Sequence, residues 1–188
     1  MKELKIKLEA LDNKRCKSEI IATTDDAVNN WKKLLNETTC ICGLFYVGHG
    51  GEGFLFLNGK GENISVKEGA EARIITLPNG NMIKQYFNKP RIGGYSNPFQ
   101  VSFVETLPKQ NILPGAEISL FGCNTSAGRN IAKSFANYFG VPTLGSQKKL
   151  NFDGGTPYTP WYKGGNSFTI DFPVNNTSNT IPEECKCR

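Results

Sequence analysis

The single histidine of the chain, His49, closes an apolar run, Leu44-Phe45-Tyr46-Val47-Gly48, and is followed by Gly50-Gly51. A second apolar run, Ile118-Ser119-Leu120-Phe121-Gly122, closes on Cys123 and passes into the polar Asn124-Thr125-Ser126. An imidazole and a thiol are the two parts of a nucleophilic dyad: the thiolate is the reactive form of cysteine, and a neighbouring base generates it. Open parallel α/β sheets bind ligands at the carboxyl ends of their strands, so two neighbouring strands ending on His49 and Cys123 would bring both groups to one crevice. The backbone N–H groups of Gly50 and Cys123 would then form an oxyanion hole, worth about 3 kcal/mol per donor. Gly50 and Gly51 allow a tight turn after the histidine, and Gly122 allows close approach of a substrate carbonyl.

The elements needed to position these groups follow from hydrophobic period and punctuation. Leu4 to Ala10 alternates with period two, and Ser18 to Thr23 reads as a second strand. Thr24-Asp25-Asp26 caps a helix with Ala27, Val28, Trp31, Leu34 and Leu35 on one stripe. The almost wholly apolar segment from Thr39 to Gly48 reads as a central parallel strand covered on both faces, with Cys40 and Cys42 on one of them as buried structural thiols. Glycines from Gly50 to Gly69 around Phe54-Leu55-Phe56-Leu57 indicate a hairpin, and Glu71 to Leu77 another strand. Asn97-Pro98 is a good helix start with Phe103, Val104 and Leu107 on the following turns, although Phe99, Val101 and Phe103 also alternate. After Pro114-Gly115, a strand from Glu117 to Gly122 precedes a helix from about Ser126 to Tyr138, stopped by Gly140, whose N-terminal amides would help to ionise Cys123. Val141 to Gly145 is a short strand and Phe168 to Phe172 an edge strand. The Gly-, Pro- and aromatic-rich Asn151 to Gly165 reads as a long binding loop, and the tail from Asn175 as polar and loose.

Residues 1–174 thus form one α/β domain and 175–188 a tail, consistent with 188 residues and 38% hydrophobic content. No segment approaches the roughly 20 apolar residues of a membrane span, and the first residues lack a signal-peptide core. A net charge of +5 spread along the chain is too dilute for a nucleic-acid surface. The localisation is left open by these features, as the cytoplasm or delivery within a larger protein. Cys185-Lys186-Cys187 offers a bridge or a metal ligand pair, but one histidine and the absence of C-x-x-C spacing argue against zinc, and no metal or other cofactor is expected. A glycan on Asn124-Thr125-Ser126 would block the site, which argues against passage through a glycosylating compartment.

Phe45-Tyr46-Val47-Gly48-His49-Gly50-Gly51-Glu52-Gly53-Phe54-Leu55-Phe56-Leu57, followed by Ala116-Glu117-Ile118-Ser119-Leu120-Phe121-Gly122-Cys123-Asn124-Thr125-Ser126-Ala127-Gly128, resembles the caspase-like (clan CD) cysteine peptidases. The likeness runs from Thr39 to Gln147, is nearest to caspase-like domains of large bacterial surface and toxin proteins, and extends more loosely to CHAT domains. It implies a three-layer sandwich with a mostly parallel central sheet and helices on both faces. It also implies His49 as base, Cys123 as nucleophile and Gly50 in the oxyanion hole. The separation of the two residues exceeds that of compact caspases and implies an insertion, placed at Asn79 to Gln110. In that arrangement the region after Gly145 borders the crevice, and Gln147, Lys149, Asp153, Tyr158, Trp161 and Tyr162 would hold the substrate. Lys148 and Lys149 would favour an acidic group there, Asp153 or Asp171 a basic one.

The resulting expectation is a cysteine endopeptidase acting on a protein or peptide substrate, including its own parent polypeptide. The alternative is a caspase-like binding or structural module that keeps both residues without turnover, since fold does not carry function with it.

Overall fold

The computed structural model describes residues 27–57, 62–67, 70–88, 101–150, 168–174 and Cys185. The strands expected at Leu4 to Ala10 and Ser18 to Thr23, the helix cap at Thr24 to Asp26, and the loop at Asn151 to Gly165 lie outside these residues. The molecule is mixed α/β, built on a mostly parallel sheet.

Helix α1, Ala27–Glu37, buries Ala27, Val28 and Leu35, and Trp31 packs against the core beside them. Its ends are finished by residues distant in sequence. The buried carboxylate of Glu62 accepts the Ala27 N–H at 2.8 Å, placing negative charge where the helix dipole favours it. The Asn111 amide donates to the carbonyls of Leu35 and Asn36 at 3.1 and 2.9 Å, supplying partners for carbonyls that the helix itself leaves open.

Strand β1, Ile41–Val47, follows and leads into the short β2, Gly50–Gly51, β3, Phe54–Phe56, and β4, Asn63–Ser65. β5, Ala70–Thr76, and β6, Met82–Asn88, form a separate two-stranded hairpin whose turn reaches Gly80 in the left-handed region. β7, Val101–Phe103, runs into a 3₁₀ turn, Val104–Thr106. β8, Ile112–Phe121, helix α2, Ile131–Phe139, β9, Thr143–Ser146, and β10, Phe168–Asp171, complete the chain.

Two four-stranded sheets result, in the orders β1-β8-β9-β10 and β2-β3-β4-β7. In the first, β1, β8 and β9 are parallel and β10 is antiparallel to β9. α2 is the crossover between β8 and β9, as the joining of neighbouring parallel strands requires. Its face of Ile131, Ala132, Phe135 and Phe139 enters a core with Leu44, Tyr46, Ile118 and Leu120 from the sheet and Leu55 and Ile64 from its neighbour. Truncating a fully buried ring such as Phe135 to Ala would cost about 3–5 kcal/mol.

Several expectations need correction. β1 is the terminal strand of its sheet among the described residues and its burial alternates, with Phe45 exposed, so it is not the doubly covered strand that its composition suggests. The helix expected after Asn97-Pro98 is instead β7 and a single 3₁₀ turn, because Asn63–Ser65 offers Val101–Phe103 a parallel partner and pairing outweighs local propensity. Pro114-Gly115 does not end an element: β8 runs through them with an irregular register, and Gly115 takes a positive φ.

Cys40 is not a buried thiol in a strand. It precedes β1 in a left-handed conformation and forms a disulfide with Cys185, with Cα atoms 5.2 Å apart. This fixes one point of the tail expected to be loose and separates Cys185 from a local pairing with Cys187. Cys123 is a free cysteine among the described residues.

Candidate active site

The site is set by the register of β1 and β8. Leu44 pairs with Ile118, Tyr46 with Leu120 and Val47 with Phe121, and the Gly48 N–H continues the ladder to the Phe121 carbonyl at 3.2 Å. Parallel strands in this register end together. His49 therefore leaves β1 beside the point where Cys123 leaves β8, as the sequence implies.

Close packing of glycines makes this possible. A Cβ on Gly50 would lie 3.1 Å from the Cys123 carbonyl oxygen and 3.3 Å from the Gly122 Cα, and one on Gly122 would lie 3.3 Å from the Gly48 oxygen. Backbone meets backbone, so a side chain at either position would push the two turns apart. The two residues expected to supply oxyanion-hole donors, Gly50 and Cys123, are thereby in contact.

The His49 turn is secured through its main chain. The His49 carbonyl accepts from Phe56 N at 2.9 Å and from the Tyr46 hydroxyl at 2.6 Å, while the imidazole stands exposed. The Tyr46 hydroxyl is also 2.5 Å from the Phe56 carbonyl, and its ring meets Trp31 edge to face. Burial pushes the Tyr46 phenol well above its ordinary value, and the nearby Cys123 sulfur, which would repel a phenolate, adds to the rise. That coupling places the sulfur within electrostatic reach of the residue that holds the His49 turn.

Cys123 is half-buried. Its sulfur accepts the Leu150 N–H at 3.3 Å and its thiol donates to the Leu150 carbonyl at 3.8 Å. Among the described residues the sulfur makes no hydrogen bond to the His49 ring. The expected helix amides are also absent from the sulfur's surroundings: α2 begins at Ile131 with Asn130 as N-cap, accepting from Lys133 N at 2.8 Å. Residues 124–130 form a loop, and among the described residues the amide aimed at the sulfur is that of Leu150.

The loop is tied on several sides. Asn124 takes a positive φ and gives its N–H to the Lys148 carbonyl at 3.0 Å; Ser126 N donates to the Ser146 carbonyl at 2.8 Å. Asp171 on β10 accepts from Ser126 Oγ at 3.0 Å and from the Asn130 amide at 3.0 and 3.1 Å. This carboxylate is committed to the loop, which removes it as the acidic wall for a basic substrate group. Across the crevice, Glu52 lies against Gly128, and a Cβ on Gly53 would lie 3.0 Å from the Arg129 Cβ. The His49 turn and the loop after Cys123 thus interlock.

Of the residues expected to hold substrate, Gln147 and Lys149 are exposed on the segment that leaves β9 and passes Cys123, with Lys148 between them. Asp153, Tyr158, Trp161 and Tyr162 lie outside the described residues. Tyr46, Thr125 and Leu150 are the site residues that sequence reasoning missed. Tyr46 reads as an ordinary core aromatic, Leu150 acts through its backbone, and only Thr125, two residues from the cysteine, carried a local signal.

No family model matches the chain, and neither the curated proteins nor the solved structures give a match.

Proposed function

We propose that the chain is a cysteine endopeptidase of caspase-like type, with Cys123 as nucleophile and His49 as base, acting on a protein or peptide substrate that includes its own parent polypeptide. The observation that carries this reading is the in-register parallel pairing of β1 with β8, which ends both strands together and packs Gly50 onto Cys123. The three-layer sandwich expected for such a peptidase belongs to the same proposal.

In this reading His49 removes the thiol proton and the sulfur attacks the scissile carbonyl. The N–H groups of Gly50 and Cys123 hold the oxyanion, His49 returns the proton to the departing amine, and water hydrolyses the resulting thioester. The hydrogen bonds between Cys123 and Leu150 describe a resting state, from which the exposed imidazole must turn toward the sulfur. Such alignment commonly tightens only when substrate is bound.

A second reading, a caspase-like binding module without turnover, is favoured by one observation: the sulfur is bonded to Leu150 and not to His49. A peptide-library digest read by mass spectrometry separates the two, with Cys123→Ala as blank. The peptidase reading expects cleavage by the wild-type chain and none by the variant, with the variant's stability within about 2 kcal/mol because loss of one thiol opens little volume. Cleavage by both chains, or by neither, would reject it.

A further inference from the structure

Thr125 is fully buried, yet its hydroxyl is engaged on both sides. Oγ1 donates to the Leu120 carbonyl at 3.1 Å, with the Gly122 carbonyl at 3.4 Å as a second acceptor, and accepts the Ser146 N–H at 2.8 Å. The methyl group faces the other way. Cγ2 would be 3.0 Å from a Cβ on Gly50 and 3.2 Å from one on Gly122. Its own carbonyl accepts the Ala132 N–H at 3.0 Å, in the first turn of α2. One side chain therefore touches the end of the cysteine strand, the end of β9, and the glycine turn that follows the histidine.

Resting on the peptidase reading, we propose that Thr125 is the positioning residue of the dyad. Its hydroxyl fixes the Cys123 turn to the ends of β8 and β9, and its methyl sets the gap between that turn and Gly50. The two halves of the side chain have separable tasks. Valine keeps the shape and the methyl contact but leaves the Ser146 N–H without its acceptor. Serine keeps the hydroxyl bonds and removes only the spacer.

The test compares Thr125→Val and Thr125→Ser with the wild-type chain, each shown to be folded by circular dichroism. Peptide hydrolysis is resolved into kcat and KM, and alkylation of Cys123 by iodoacetamide is followed across pH by mass spectrometry. Misplacement of reacting groups by a fraction of an ångström to an ångström lowers turnover by up to about 10²-fold. Thr125→Val is therefore expected to lose about 10² in kcat with KM within about threefold, and to alkylate more slowly at mildly acidic pH. Thr125→Ser is expected to restore kcat to within about tenfold of wild type and the alkylation profile with it. If the valine variant does not fold, the serine variant decides: a fall in kcat of about three- to tenfold at unchanged KM supports the spacer role, and wild-type kinetics overturn it. A folded valine variant with wild-type kcat and alkylation profile would overturn the proposal while leaving the peptidase reading intact, as would a serine variant as impaired as the valine one. A wild-type chain with neither hydrolysis nor selective alkylation would overturn both.

Discussion

Cys123 and His49 stand at neighbouring strand ends, but the protein holds them in different ways. The loop after Cys123 is bonded to β8 through Thr125, to β9 through Ser146, to β10 through Asp171, and to the Lys148–Leu150 segment through Asn124 and the sulfur itself. The turn after β1 is anchored through its main chain, by the Gly48 N–H, the His49 carbonyl, the pairing of Gly50 and Gly51 with β3 and the packing of Gly50, and its imidazole is exposed. A nucleophile gains from a fixed position, because attack requires a defined distance and angle. A base that accepts a proton from sulfur and later delivers it to a leaving amine gains from a ring that can reorient. In the proposed dyad this contrast gives the nucleophile a fixed position and leaves the base an exposed ring that can turn.

This contrast can be broken by substitutions on each side. The largest effect is expected on the base side: His49→Ala should lower kcat/KM by about 10²-fold or more, because no other histidine can replace it. Its unfolding free energy should stay within about 0.5 kcal/mol of wild type, since the ring is exposed. Urea unfolding together with hydrolysis rates measures both, and a strongly destabilised variant would show that the ring is structural. On the nucleophile side, Asp171→Ala removes a carboxylate that accepts from Ser126 and Asn130, and a loss of about 2 kcal/mol is expected by the same titration. An unchanged midpoint would mean that the loop is not tied to β10 in solution.

The smallest effect concerns the link between the halves. Tyr46→Phe keeps the ring against Trp31 and loses the hydroxyl, at an expected cost of about 1 kcal/mol near neutral pH. Its pH dependence sharpens the point. Burial raises the Tyr46 pKa above its ordinary 10.0, so the native state holds the phenol proton when the unfolded chain releases it. Stability is full below that pH and falls as the pH rises above it. Tyr46→Phe should flatten this alkaline fall in thermal melts, and an equally steep fall in the variant would place its origin elsewhere.

The strands that end at His49 and Cys123 were legible because their apolar runs are bounded by glycines, and α1 because its stripe keeps helical spacing. Gly140 stopped α2 as expected, at φ 72°, with its N–H on the Ala136 carbonyl. The start of α2 was not legible. Thr125 and Ser126 have the chemistry of caps, but their hydroxyls serve β8, β9 and Asp171, and the cap falls to Asn130. The Cys40–Cys185 disulfide was hidden for a related reason: its partners are 145 residues apart, and each had a nearer cysteine with which to be grouped. The Leu150 amide at the Cys123 sulfur had no sequence signal at all, since any residue but proline supplies one.

The most direct test of the central claim is the rate at which iodoacetamide alkylates Cys123, a free and half-buried thiol, in the intact chain at about pH 6, measured against the same thiol in the urea-unfolded chain. A thiol activated by a dyad should react at least about tenfold faster in the folded chain than in the unfolded one, and His49→Ala should erase that advantage. Equal rates in the folded and unfolded chains, or a Cys123 rate untouched by His49→Ala, would contradict the account.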